Sequence, residues 1–168
     1  MFKQIILPIL GVLIFIVVVG IFVRKSSSLG LSNLFIPRPT ATAEKTVTID
    51  ATKINVQIAD TSQERVRGLS GVASLKEDSG MLFVFDTKGV TTQFWMKGML
   101  IPLDIIWIGS GKIVQIDKNV PIPPPDTADN NIKTYSAGAP IDYVLEVNAG
   151  FSDKNGINVG DSVDLSGI

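Results

Sequence analysis

Apolar positions along this 168-residue chain fall into three regimes. From Ile5 to Val23, "IILPILGVLIFIVVVGIFV", nineteen residues pass without a charge. As a helix this stretch spans about 28 Å, close to the hydrocarbon thickness of a bilayer. Pro8 falls near its start, where a helix tolerates proline best. A helix apolar on every side has little to pack into in so small a domain, so the segment is read as one transmembrane helix rather than a core helix. From Arg24 to about Lys45, "RKSSSLGLSNLFIPRPTATAEK" follows neither period 2 nor period 3.6 and is rich in Ser, Pro and Thr. That is the composition of a tether. The division expected is an anchor over residues 1–25, a flexible linker over 26–45 and a folded domain over 46–168.

The third regime is a series of short apolar runs. "KINVQIA" alternates and sets Ile54, Val56 and Ile58 on one face of a strand. Thr61 and Glu64 have capping-box spacing, which starts a short helix that ends near Gly68. "GMLFVFD", "TQFWMK", "LDIIWIG", "KIVQID", "IKTYSA", "DYVLEVN" and "DSVDLS" then arrive, most of them separated by Gly, Asp, Asn or Pro. "GSGK" at Gly109–Lys112 is a hairpin turn. Pro121–Pro125, "PIPPP", is unsuited to a central strand and reads as a polyproline II crossing. "AGFSDKNGI" predicts a helical turn ended by Asn155-Gly156. The fold class expected is mainly β: a compact antiparallel sandwich or barrel with one or two short helices, preceded by one transmembrane helix.

Charge sharpens the division. Lys3, Arg24, Lys25 and Arg38 precede residue 44 and no acid does, so the remainder carries 11 basic and 16 acidic residues, a net of −5. That balance argues against nucleic acid as a partner, because neutralising phosphates takes clustered Lys and Arg. The apolar segment is longer than a signal-peptide core, and Arg24-Lys25 follows it where small residues belong. It is therefore read as an uncleaved anchor, with the membrane engaged through residues 5–23. Basic residues are nearly balanced across it, and N-terminal anchors habitually leave the N-terminus inside, which puts the domain on the extracytoplasmic face.

Absent residues narrow the chemistry further. Without His or Cys there are no Ser-His-Asp triads, cysteine nucleophiles or ordinary zinc sites, and no P-loop or G-x-G-x-x-G is present. No catalytic residue, cofactor or metal is assigned. The stretch with most chemical content is "TTQFWMKGMLIPLDIIWI", Thr91–Ile108, an apolar run that holds one charge of each sign. If Phe94–Lys97 and Leu103–Ile108 are neighbouring strands, Lys97 and Asp104 sit at their inner ends and face each other. They then bridge and pin the bend, or form the polar floor of a pocket walled by Trp95, Met96 and Met99. Arg65 and Arg67 flank Val66 on the short helix and point different ways; the expected reading is a solvated face, with one of them over the sheet as the alternative. Glu146 lies inside "VLEVN", where alternation turns it outward, so it is expected at the surface. The candidate ligand-binding set is Trp95, Met96, Lys97, Asp104, Arg65 and Glu146.

"RVRGL", "SGMLFVF", "FWMKGMLIPLDIIWI", "VPIPPP" and "YVLEVNAG…NGINVGDSV", in that order and spacing, resemble the DUF192 (UPF0127) family over about Thr52 to Leu165. The resemblance implies a compact, largely antiparallel β fold, often behind a signal or anchor in prokaryotes, and no established activity. Gly98-Met99 stand where Asn-Thr is common in the family, and Val72 stands where an arginine often follows the Gly-Leu segment.

Four functions compete. The first is a membrane-anchored extracytoplasmic module that binds a small anionic or sugar-like ligand, a sugar stacking on Trp95 or Trp107. The second is a glycan hydrolase, which needs two carboxylates about 5–10 Å apart, such as Asp104 with Glu146 or Asp86. A Cu(I) site of Met81, Met96 and Met99 ranks lowest of the four. The remaining one is a structural domain that docks a protein partner through a sheet edge.

Overall fold

The computed structural model describes residues 45–168. The expected transmembrane helix and most of the tether lie outside the described residues, among which no helix is long and apolar enough to cross a membrane. The elements are β1 (Lys45–Ile49), β2 (Thr52–Ala59), α1 (Ser62–Arg67), β3 (Ser79–Val84), β4 (Phe94–Trp95), β5 (Leu103–Gly109), β6 (Lys112–Val120), a 3-10 turn (Asp129–Asn131), β7 (Thr134–Tyr135), β8 (Tyr143–Asn148), α2 (Phe151–Lys154) and β9 (Val163–Asp164).

Seven strands form one sheet in the order β6-β5-β8-β3-β2-β1-β9. Neighbours are antiparallel except β2 and β3, which run parallel because α1 and its following loop carry the chain across between them. The two ends of the sheet then meet. Ile113 N–H donates to Asp161 O (3.0 Å), Gly160 N–H to Ile113 O (2.9 Å) and Val163 N–H to Gly111 O (2.9 Å), so the β5–β6 turn is stitched to the segment before β9. The result is a nearly closed, barrel-like sheet with two short helices.

Local signals behave as physical chemistry requires. Thr61 Oγ1 accepts from Glu64 N–H (3.2 Å) while the Glu64 carboxylate accepts from Thr61 N–H (3.1 Å), the reciprocal cap that starts α1. Ser110 and Gly111 turn the β5–β6 hairpin with positive φ at both. Ile54 and Val56 are buried on one face of β2.

The sheet is buried on two sides in its middle. Val56, Leu82, Ile106 and Leu145 fill the barrel interior, and a second core of Phe83, Ile105, Trp107 and Val144 covers the opposite face. That outer face is roofed by the stretches that carry Phe94, Met96, Met99, Tyr135 and Ile141, so all seven residues of β5 are buried. This arrangement corrects one expectation. β4 does not run beside β5: it pairs with β7, and both flanks of β5 are taken by β6 and β8. β4 lies over the outer face, with Phe94 edge-on to Phe83 (4.8 Å) and Trp107 (5.5 Å).

Candidate functional site

Strand register determines what reaches the outer face. Glu146 of β8 pairs with Met81 of β3 and Ile105 of β5, and residues directly opposite share a face. Alternation does turn Glu146 away from the barrel interior, as the sequence implies. It is not on the surface, as outward alternation suggests, because the roof covers that face and leaves the residue 5% exposed, with its carboxyl open only to the cavity beneath. No described residue gives its carboxyl a hydrogen bond, and burial alone pushes its pKa up to about 8. At neutral pH it is a protonated acid with an unpartnered end.

Glu146 lies against a cavity of about 400 Å³. Phe83, Phe94, Trp95 and Met99 form its apolar walls, and α1 with the turn after it supplies Arg65 and Arg67. The depth follows from exposure: Glu146 is buried, whereas Trp95, at 44% exposed, sits at the mouth. Arg65 is the arginine that lies over the sheet, and it acts as a staple. Its Nη1 donates to Asp60 O (2.5 Å) and Val84 O (2.8 Å), and its Nη2 to Ser62 Oγ (3.4 Å) and Asp86 Oδ2 (3.3 Å). Those bonds hold α1 to the end of β3. Arg67 is exposed and has no acidic partner among the described residues.

Three of the six sequence candidates, Arg65, Trp95 and Glu146, therefore meet at one cavity. The other three do not line it. Lys97 and Asp104 are not paired: Lys97 Nζ reaches Asp129 Oδ2 on the 3-10 turn at 2.5 Å. Asp104 is fully buried on the opposite side of β5 from Ile105, and its carboxylate accepts from the backbone N–H groups of Asn119 (2.8 Å), Gly150 (3.0 Å) and Ser152 (2.9 Å). It ties the start of α2 to β5 and the end of β6. Met96 is buried and faces Pro121 and Tyr135 instead. Trp107 offers no stacking face, since it is wholly buried with its indole N–H donating to Asp117 Oδ2 at 2.7 Å. Met81, Met96 and Met99 all belong to the outer core.

Sequence reasoning did not select Phe83, Phe94 or Arg67. The available signal was "YVLEV": a strand whose apolar positions run on without alternation is covered on both faces, so an acid within it is buried whichever way it points.

The DUF192 family, described as "Uncharacterized ACR, COG1430", matches residues 45–165. The chain belongs to the DUF192 family. No curated protein matches it. Among solved structures, a protein of unknown function from Novosphingobium aromaticivorans DSM 12444 is similar at 30% identity and a TM-score of 0.63, over 71% of this chain and 83% of that one. A proposed transcription regulator from Sinorhizobium meliloti 1021 is similar at 28% identity and a TM-score of 0.63, over 73% of this chain and 92% of that one. The segments that resemble the DUF192 pattern converge on the cavity: "RVRGL" brings Arg65 and Arg67, "SGMLFVF" brings Phe83, "FWMKGM" brings Phe94, Trp95 and Met99, and "YVLEVNAG" brings Glu146. The departure at Gly98 has a conformational reading. Its φ is +68°, where glycine and asparagine are the residues at ease, and its carbonyl accepts from Gly71 N–H at 2.9 Å.

Proposed function

We propose that this DUF192 domain binds a small molecule in the cavity between α1, β4 and the outer face of the sheet. The proposal extends to its place in the cell: a domain tethered through residues 26–45 to a transmembrane helix at residues 5–23 and facing the extracytoplasmic side. The observation that carries the binding reading is Glu146, a buried and unpartnered carboxyl against an open, aromatic-walled cavity. Ligand sites are commonly built this way, from apolar walls with a few polar groups aimed inward. The open cavity favours this reading over a purely structural docking domain.

Paired-carboxylate hydrolysis finds no support in the same geometry. Glu146 is the one carboxylate against the cavity among the described residues. Asp104 lies on the other side of the sheet with its oxygens taken by three backbone donors, and Asp86 is exposed and paired with Arg65.

The test is a thermal-shift screen of the full chain in detergent against sugars, amines, carboxylates and nucleotides, with Glu146→Gln alongside. A compound that raises the melting temperature of the parent protein and not of the variant supports the reading. A screen in which nothing separates the two removes it. Reporter fusions after residue 168, active only outside the cytoplasm, test the orientation.

A further inference from the structure

We propose that the ligand of this cavity is a small organic cation, an alkyl or quaternary ammonium, whose charge meets the Glu146 carboxylate among aromatic side chains. The inference rests on the small-ligand reading above and names its chemistry.

The molecule itself supplies the comparison that leads there. Asp104 is as buried as Glu146, and the fold surrounds it with three N–H donors at 2.8–3.0 Å. A carboxylate kept for architecture is provided for in that way. Glu146 has no donor from its neighbours Met81 and Ile105, and the side of it that is open is a cavity. Burying a carboxyl without a partner is unfavourable, and an incoming cation supplies the missing partner.

The walls agree with that charge. Phe83, Phe94 and Trp95 present aromatic surface to the same space as the acid, and aromatic faces attract ammonium groups most strongly where water is excluded. An anion would meet Glu146 and gain little from Arg65, which spends its Nη groups on Asp60, Val84, Ser62 and Asp86. Side-chain donors left to it, such as Thr92, Gln93 and Arg67, are half-buried or exposed rather than buried beside the acid. Arg67 is the other charged group lining the cavity; it is exposed, so water and salt weaken its repulsion. A hard metal ion needs several oxygen ligands, and the described residues hold no group of three acidic, His or Cys side chains able to surround one.

Cation binding requires Glu146 to lose its proton, which gives the inference a signature beyond affinity. Burial keeps the empty site protonated up to about pH 8, so each binding event near neutrality releases close to one proton. Affinity for a cation with no proton of its own therefore rises with pH, by at most about tenfold per unit, and levels off above about 8.

The experiment is titration calorimetry on the full chain in detergent, with choline and benzyltrimethylammonium as cationic probes. 3,3-Dimethylbutan-1-ol serves as the uncharged isostere of choline, and benzoate as the anion. The expected result is cation binding at least tenfold tighter than isostere binding, strengthening between pH 6.5 and 7.5. Repeating it in buffers of different ionisation enthalpy should show about one proton released. Glu146→Gln, which keeps the shape, should lose the preference for charge and the pH dependence together. Equal binding of choline and its isostere, preference for benzoate, or no binding of either cation overturns the inference. The first two results leave a small-ligand site standing with different chemistry. The third overturns the cation reading alone, unless the wider thermal-shift screen is also silent, in which case the site itself falls.

Discussion

Two buried carboxyls, treated in opposite ways, set the energetics at the scale of single residues. For Glu146 the folded-state pKa is raised from 4.5 to about 8. Below pH 4.5 both folded and unfolded chains hold the proton, and above about 8 both have lost it. Between those values the unfolded chain ionises first, so this residue makes stability fall as pH rises, by up to about 1.4 kcal/mol per unit. Glu146→Gln removes that slope. Its melting temperature relative to the parent protein should climb from pH 5 to 8 and then hold constant. Glu64, Asp142 and Asp164 act in the other direction. Hydrogen bonds from Thr61, Ser110 and Ser166 respectively lead in lowering their pKa values, so their contributions are present above the ordinary carboxylate range and lost on acidification. The two effects occupy different pH windows and separate in a melting profile.

Asp104 gives the contrasting prediction. Asn in its place keeps one acceptor oxygen for three N–H donors and turns an amide N–H₂ towards one of them. Urea unfolding of Asp104→Asn should show a loss of roughly 3 kcal/mol or more. Lys97→Met should cost less than about 1 kcal/mol, because its bridge to Asp129 joins groups that are 48% and 63% exposed. Two charges in one apolar run, Lys97 and Asp104, thus have unequal weight, and the difference lies in their burial and their hydrogen-bond partners.

At the scale of elements, β8 is the strand on which both cores and the site depend, because it lies between β3 and β5 and carries Glu146. Its close approach to β3 needs Gly80. A methyl there would stand 2.4 Å from the Glu146 carbonyl oxygen and 3.0 Å from Val147 Cγ1. Gly80→Ala should therefore separate the two strands and cost several kcal/mol, as overpacking against backbone does. Circular dichroism melts read the loss, and the cavity's ligand binding should disappear with it. β4 has a different role. It is two residues long and pairs only with β7, and its hold on the sheet is the Phe94 ring between Phe83 and Trp107.

For the whole molecule, closure of the sheet is the governing feature. The segment Gly160–Val163 bonds to Gly111–Ile113 while β9 pairs with β1, so this short stretch covers an edge on each side. Removing residues 158–168 should leave β1 and β6 with unpaired edges, and such edges associate. Size-exclusion chromatography of the truncated chain should show oligomers or aggregate at concentrations where the parent chain is uniform.

Some of this was determined within short windows of sequence. Thr61 with Glu64, Ser110-Gly111, and Asn155-Gly156 each act over four residues or so, and the cap, hairpin turn and helix end appear where those residues stand. Alternation in "KINVQIA" likewise needs no partner to be read. Local hydrogen bonding and backbone preference decide such features before any packing occurs. The partners of β4, the separation of Lys97 from Asp104 and the burial of Glu146 were decided only in three dimensions. Each depends on which strand takes the flank of β5 and on what covers the outer face, and those choices join residues as distant in sequence as Met81 and Glu146. A strand's sequence states which way a side chain points. Only the packed structure decides whether water, a backbone amide or an empty cavity is waiting there.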